Sequence, residues 1–344
     1  MTARKDDWKL WLRQNQGLLV AIGLFVCFYG VYSFLHPKGG DASLIGQNAN
    51  ESFVLVAAAM AQTLPVLTGG LDLSVGAIIT LVNCVASHTL GGSAGQNVLG
   101  ILLCLSVGIA AGLANGCLVV YGRLQPIIAT LASGTIFIGL ALFLRPTPGG
   151  QVDRGLAFAA TFDLNELLTA LGAAPLGAIG KIPSPLVWML LVAALWVYYR
   201  RTRYGLGAYA VGSSQEAATM SGVRVQHVKL AAYTMSGLFA ALVCSVGNAD
   251  MPQAGTYTLN SIASVVIGGS SLYGGVGGAI GSLFGALVLR SVAFNFRVVD
   301  EASALGFLAN PLYQPLFEGV ILLSAVSLGA LWVVRVKNRL HVFR

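Results

Sequence analysis

The acidic residue Asp72 lies between two apolar segments, where burying a charged carboxylate costs free energy. Asp72 belongs to the stretch LTGGLDLSVG at residues 67–76, which separates two apolar segments. An acid near membrane depth is usually functional, for example in an ion or substrate pathway. Alternatively, Asp72 caps a helix beginning at Leu73 by accepting hydrogen bonds from free backbone N–H groups. We favour the cap, and the two roles are compatible, since a broken helix beside a pathway needs such a cap.

Other polar or glycine positions inside apolar segments are candidates for the same pathway. Such groups either line a hydrophilic route or form hydrogen bonds between helices, and for any single residue the second role is the simpler one. The candidate pathway or gate residues are Gly69, Gly70, Asp72, Ser74, Asn115, Gln125 and Thr130.

No residue pattern indicates a cofactor, a metal site or an enzyme active site. The five cysteines lie in apolar runs without a C-x-x-C pair, and the four histidines are scattered. The glycine-rich stretch at residues 264–282 lacks the Lys-Ser or Lys-Thr of a phosphate loop, so it predicts a tight turn between helices. Any energy from ATP must therefore come from another protein.

A polar and basic loop, about residues 200–228, is the longest interval of its kind between apolar segments. Ser213 can cap a helix start, Glu216 can act as the capping-box acid, and Gly222 can end the helix. The pattern predicts a short helix over residues 214–221, preceded by a turn at three glycines: Gly205, Gly207 and Gly212. Because so short a helix is unstable alone in water, it must pack either in a groove of another protein or on its own bundle.

Composition indicates a polytopic membrane protein. Hydrophobic residues make up 56% of the 344 residues and charged residues only 10%, and the mean hydropathy is +0.77. We therefore predict an all-α integral membrane protein with about ten transmembrane helices, forming one domain over residues 1–344. The apolar segments are 17–35, 51–69, 72–90, 98–121, 125–144, 185–200, 227–248, 258–274, 277–296 and 312–334.

The basic residues predict the orientation. If the chain starts inside, 14 of its 20 lysines and arginines fall in cytoplasmic segments, as the positive-inside rule requires. Both termini are then cytoplasmic, and a long outer loop spans about residues 145–185. This placement accounts for the net charge of +7 without a nucleic-acid partner. Arg290 falls inside a span, where it must snorkel, line water or pair, with Asp300 and Glu301 as the nearest acids.

Four ordered motifs resemble the permease subunit of ribose-type ABC sugar importers, over about residues 50–330. They are TGGLDLSVG at 68–76, QPIIATL at 125–131, YG…AVGSSQEAA…SGV at 204–223 and VVIGGSSLYGG at 265–275. The resemblance implies a bacterial inner-membrane protein in the lipid bilayer, assembled with a second permease copy (homodimer or heterodimer), a cytoplasmic ABC ATPase and a periplasmic sugar-binding protein. By the same resemblance, the ATPase coupling helix consists of Ser213, Ser214, Gln215, Glu216, Ala217, Ala218, Met220, Ser221 and Gly222.

Two positions depart from the family pattern. Thr258-Leu259-Asn260 stands where relatives often have Glu-Leu-Asp, and Arg290 stands where small or apolar residues are usual. The expected function is a passive monosaccharide pathway driven by a separate ATPase. The alternatives are an ion-coupled secondary transporter with Asp72 as its coupling acid and, less favoured, an integral membrane enzyme.

Overall fold

The structure is a computed structural model that describes residues 15–37, 41–90, 94–147, 182–243 and 254–298, together with a few isolated positions. Within these residues all regular structure is helical. The helices are α1 Gln16–Leu35, α2 Ala42–Leu67, α3 Val75–Thr89, α4 Ala94–Val120, α5 Pro126–Leu144, α6 Ser184–Arg201, α7 Arg203–Ser213, α8 Gln215–Met220, α9 Val225–Ala241, α10 Ala254–Ile267 and α11 Ala279–Val298.

The helices agree with the predicted spans in type and closely in position. Of the described helices, α1, α2, α4, α5 and α11 are long and apolar enough to cross a membrane. Most of the tenth predicted span, 312–334, and most of the outer loop lie outside the described residues. The described part of the chain is thus all-helical and typical of a multi-pass membrane protein, while the count of about ten and the cytoplasmic termini stay predictions.

The core surrounds the second half of α2, which is buried on all sides. From Leu55 to Leu67 nearly every residue of this helix is buried, because α2 packs against α3, α6, α9, α10 and α11. A helix without a polar face is expected at the centre of a bundle. The buried polar residues of α2 are Asn48, Ser52, Gln62 and Thr63, and Thr63 donates a hydrogen bond to Ser282 of α11 at 2.7 Å.

Helices α4 and α9 cross in close contact through small residues. A Cβ added at Gly108 would lie 2.6 Å from the Gly237 carbonyl oxygen, and one at Gly112 would lie 3.0 Å from the Gly237 nitrogen. Gly116 is packed as closely against Leu230. Glycines at intervals of four on α4 thus let the two backbones touch, which is how membrane helices gain packing energy without a hydrophobic driving force.

Two helix ends lie inside their predicted apolar segments. The segment 258–274 extends past the end of α10 at Ile267, and the tight turn predicted within residues 264–282 follows it. Gly269, with φ of +81°, turns the chain there, and the N–H of Ser270 bonds to the carbonyl of Val265. α2 ends in the same way at Gly69, where φ is +78°. Both ends have the Schellman pattern, which favours glycine because the backbone must be left-handed.

Arg290 of α11 binds α2 through a backbone carbonyl. Its Nε and Nη2 donate to the Glu51 carbonyl oxygen at 3.1 and 2.7 Å. The Glu51 carboxylate pairs instead with Arg297, about two turns further along the same face of α11, at 2.7 Å. Asp300 and Glu301, the predicted partners, lie outside the described residues. Arg290 therefore joins two helices, as expected for a structural role.

Candidate functional site

Three of the motifs meet at one end of the bundle. The Gly275 N–H donates to the carbonyl of Leu67, the last residue of α2, at 3.0 Å. A Cβ added at Gly274 would lie 2.8 Å from the Gly69 nitrogen, and one at Gly275 would lie 2.6 Å from Ser213 Oγ. The end of α2, the turn between α10 and α11, and the end of α7 are therefore in backbone contact.

The segment before the short helix is itself a helix, so the predicted turn at Gly205, Gly207 and Gly212 is wrong. α7 begins with Thr202 as its N-cap, whose side chain accepts a hydrogen bond from the Gly205 N–H. The glycines serve close packing instead. Gly207 lies against Val228, where an added Cβ would be 2.7 Å from Cγ2, and Gly212 lies against Leu67 and Gly275.

Tyr209 fixes α7 to the glycine-rich turn. Its hydroxyl donates to the Gly277 carbonyl oxygen at 2.9 Å. Burial raises the pKa of this hydroxyl, and the charge of Arg200 over the ring lowers it less. The phenol is therefore protonated at neutral pH and remains a hydrogen-bond donor.

The predicted short helix is present as α8, with a different cap. Ser214 is the N-cap, and its side chain accepts from the Ala217 N–H at 3.2 Å. Ser213 instead ends α7 and donates to the Tyr209 carbonyl at 2.9 Å. With Ser214 as the cap, Glu216 is the second helical residue and cannot complete a capping box, which requires the third. The stop at Gly222 is confirmed, since its φ is +80°.

α8 is attached to the bundle by one face and exposed on the other. Ala218 is 4% exposed and belongs to the core, whereas Met220 is 90% exposed. The exposed residues of the predicted coupling segment are Ser213, Ser214, Gln215, Glu216, Ala217, Met220, Ser221 and Gly222. The helix thus packs on its own bundle and still offers a free face.

A second candidate site is a buried polar junction around Asp72. This carboxylate is fully buried and accepts hydrogen bonds from the Ser74 N–H at 2.9 Å, the Ser74 hydroxyl at 2.6 Å and the Ser236 hydroxyl at 3.2 Å. No lysine or arginine among the described residues pairs with it. α3 begins at Val75, so the predicted helix start at Leu73 is wrong, and Asp72 holds the N-cap residue Ser74 in place of first-turn N–H groups.

The junction extends across the bundle through a directed chain of hydrogen bonds. The Ser133 hydroxyl of α5 donates to Asn115 Oδ1 of α4, and Asn115 Nδ2 donates to Ser74 Oγ at 2.6 Å. Thr130 of α5 accepts from the Leu73 N–H at 2.9 Å. The hydrogen bonds from Ser133 through Asn115 and Ser74 each donate toward Asp72, so this chain stabilises the carboxylate as an acceptor.

Three further groups contribute to the junction: Gln62, one of the polar side chains inside the predicted spans, Thr258 and Tyr233. With its amide oriented to satisfy both groups, Gln62 donates to the Asp72 carbonyl at 2.8 Å and accepts from the Asp72 N–H at 3.3 Å. The Thr258 hydroxyl accepts from the Gly76 N–H at 3.0 Å. The threonine that stands where the family often has glutamate therefore caps a free N–H group in the first turn of α3. The Tyr233 hydroxyl is buried without a hydrogen-bond partner.

The structure therefore brings together only part of the predicted pathway set. Asp72, Ser74, Asn115 and Thr130 share the junction. Gly70 packs against Tyr233, and Gly69 turns the chain at the end of α2. Gln125 is exposed at the start of α5, and its side chain makes no capping hydrogen bond.

Comparison with known families decides the class of protein. Residues 44–326 match the model of a family described as branched-chain amino acid transport system / permease component. The chain belongs to this family of transport permeases.

Curated relatives of this permease family extend over nearly the whole chain. The ribose import permease of Escherichia coli K12 is 31% identical over 333 residues, covering 95% of this chain and 96% of the relative. The ribose import permease of Bacillus subtilis is 33% identical, covering 89% and 90%, and the fructose import permease of Rhizobium meliloti is 32% identical, covering 80% and 74%. No solved structure matches.

Proposed function

We propose that this chain is the permease subunit of a bacterial inner-membrane ABC importer for a monosaccharide or a similar small polyol. The observation that carries the proposal is the nearly full-length similarity to ribose and fructose import permeases. The cargo arrives from a periplasmic binding protein, crosses between two permease copies and is driven by a separate ATPase. The scarcity of charged residues in the helices supports a neutral cargo, which needs no fixed counter-charge.

In this proposal α8 is the coupling helix, and the end of the bundle that carries it faces the cytoplasm. Its geometry supports that role, because a buried Ala218 attaches it to the core while Glu216 and Met220 stay exposed. Force on α8 passes into α7 and, through Gly212 and Ser213, to the end of α2 and the turn after α10. The ATPase must bind the inward-open and outward-open forms with different affinities, since a partner that binds both equally does not shift the equilibrium between them.

The junction around Asp72 then serves as the fixed joint of the broken segment between α2 and α3. It joins α3 to α4 and α5 by the hydrogen bonds of Ser74, Asn115 and Thr130. The alternative, an ion-coupled transporter, needs Asp72 to exchange a proton or cation. Its carboxylate already accepts three hydrogen bonds, which favours a structural joint over a free coupling site.

The test is uptake in vesicles that contain the permease with its ATPase and sugar-binding protein. We expect ATP-dependent uptake, and we expect Glu216→Arg to abolish both ATPase association and uptake, because the reversed charge lies at the centre of the exposed face of α8. Radiolabelled sugar uptake and co-purification of the ATPase measure the two effects.

The matched control is Gln226→Arg, which adds a guanidinium at an exposed position in the first turn of α9, outside α8. This variant should keep association and uptake. If Glu216→Arg keeps both as well, α8 is not the coupling helix. Accumulation of solute by the chain alone, without ATPase, would support the ion-coupled alternative and overturn the proposal.

A further inference from the structure

We propose that the turn at residues 270–277, between α10 and α11, is a second docking element for the ATPase, with Tyr273 as its anchor. The inference rests on the proposed function, since it requires the end that carries α8 to face the ATPase. The glycine-rich motif at residues 265–275 belongs neither to the coupling helix nor to the buried junction, and this proposal gives it a function.

The turn is a rigid platform. The Ser271 N–H bonds to the Val276 carbonyl at 3.0 Å, and the Gly274 N–H bonds to the Ser271 carbonyl at 3.1 Å. The Gly275 N–H fixes the turn to Leu67 at the end of α2. Because the backbone is ordered before any partner binds, little conformational entropy is lost on docking.

The side chain presented by this platform is suited to an interface. Tyr273 is 70% exposed, and Val276 beside it is 50% exposed. Tyrosine gives a large contact area for few rotatable bonds and is enriched among residues that dominate binding energy. An aromatic residue held out by a rigid turn is the arrangement expected of such an anchor.

The surroundings of the turn indicate water and protein in place of lipid. Ser213, which lies against Gly275, is followed directly by Ser214, the cap of α8. The exposed residues of α8 include Gln215, Glu216 and Thr219, which are polar. Tyr273 is therefore beside an aqueous surface and continuous with α8.

The helix α8 alone is too small to form a stable interface with the ATPase. A specific interface commonly buries about 800 Å² on each partner and uses about 20–30 residues a side. α8 has 6 residues and one face is already attached to the bundle. The turn is the adjacent exposed apolar surface.

The experiment places the photocrosslinker p-benzoylphenylalanine at Tyr273, at Met220 and, as a control, at Tyr198 in separate full-length permeases. Each is co-expressed with its tagged cognate ABC ATPase and irradiated in intact membranes. Tyr198 is matched in residue type and is 72% exposed, but lies on α6 before the basic loop. We expect ATPase adducts at 273 and 220 and none at 198.

The outcomes separate this inference from the proposed function. Adducts at 220 without adducts at 273 overturn the second docking element and leave the coupling role of α8 intact. Adducts at neither position overturn both. Crosslinking at 273 to a second permease copy, or equal labelling at 198, also overturns the inference.

A binding measurement tests whether the contact contributes energy. Tyr273→Ala should weaken association with the ATPase by about 30-fold or more, the scale of an interface hot spot, while Tyr198→Ala should leave it unchanged. An unchanged affinity in Tyr273→Ala would overturn the anchor role. Because Tyr273 is exposed, both variants should fold and insert normally.

Discussion

Gly70 and Tyr233 show how tightly the buried junction is packed. The Tyr233 hydroxyl is buried and has no hydrogen-bond partner. A Cβ added at Gly70 would lie 2.5 Å from that hydroxyl oxygen but 3.5 Å from Cζ of the ring. The absent side chain at Gly70 thus makes room for one oxygen atom of another helix.

We therefore predict that Gly70→Ala destabilises the protein by about 1–3 kcal/mol, the usual cost of overpacking, and that adding Tyr233→Phe reverses most of the loss. Removing the hydroxyl deletes the clashing atom together with an unsatisfied group, so Tyr233→Phe alone should be nearly neutral. Thermal unfolding in detergent of the four proteins of this double-mutant cycle measures the coupling. Strict additivity of the two substitutions would contradict the packing described here.

Residue type predicted only some members of the junction. Asp72 and Asn115 attract notice because a carboxylate or an amide is costly in an apolar helix. Ser133 and Ser236 carry no such signal, because serine and threonine in helices often bond to their own preceding turn, as Ser52 and Thr80 do here. Their position across the bundle, which sequence periodicity alone does not give, decides that Ser236 reaches Asp72 and that Ser133 reaches Asn115.

Among the helices, α7 and α8 show what local rules predict and where they fail. α8 was predicted from a serine cap and a glycine stop, and it lies within one residue of its expected limits. α7 was predicted as a turn because three glycines favour loops. Those glycines instead permit contact with Val228, Leu67 and Gly275. Close packing explains them, and packing partners distant in sequence are invisible to a local rule.

Two glycine-to-alanine substitutions, one at the α4–α9 crossing and one away from it, should change the stability of the protein differently. Gly112 lies against the α9 backbone, whereas nothing lies within 4 Å of a Cβ added at Gly139 on α5. In an exposed helix, alanine is favoured over glycine by about 0.8–1 kcal/mol. Gly139→Ala should therefore be neutral or stabilising, and Gly112→Ala should lower the unfolding temperature.

The unfolding temperature and the monodispersity in detergent are measured for Gly112→Ala and Gly139→Ala. Both variants make the same chemical change within a helix, so a general effect of alanine on membrane insertion would change the stability of both in the same direction. Equal stability of the two variants would mean that the α4–α9 backbone contact contributes little.

For the molecule as a whole, the alternating direction of successive membrane spans predicts which segments lie at the same end of the helical bundle. The end of the second predicted span, the basic loop and the turn between 258–274 and 277–296 all fall on the same side of the membrane in that scheme. The structure places Leu67, Ser213 and Gly275 in contact, as the scheme requires. Which side of the bilayer this end faces depends on charge, not packing, and stays a prediction.

Reporter fusions test that orientation. We predict that green fluorescent protein fused after Arg123 or after Arg344 is fluorescent, since both positions are expected in the cytoplasm. Alkaline phosphatase fused after Pro146, which follows α5, should be active because it folds only in the periplasm. Each site receives both reporters, so every fusion point has its reciprocal control.

The reverse pattern would have a specific consequence for the mechanism. With fluorescence after Pro146 and phosphatase activity after Arg123, α8 and Tyr273 would face the periplasm, where no ATPase is present. The exposed face of α8 would then be available only to a protein outside the cell membrane, such as a binding protein. The orientation measurement therefore decides whether the end containing α8 and the 270–277 turn can receive force from ATP at all, independently of whether either element makes the predicted contact.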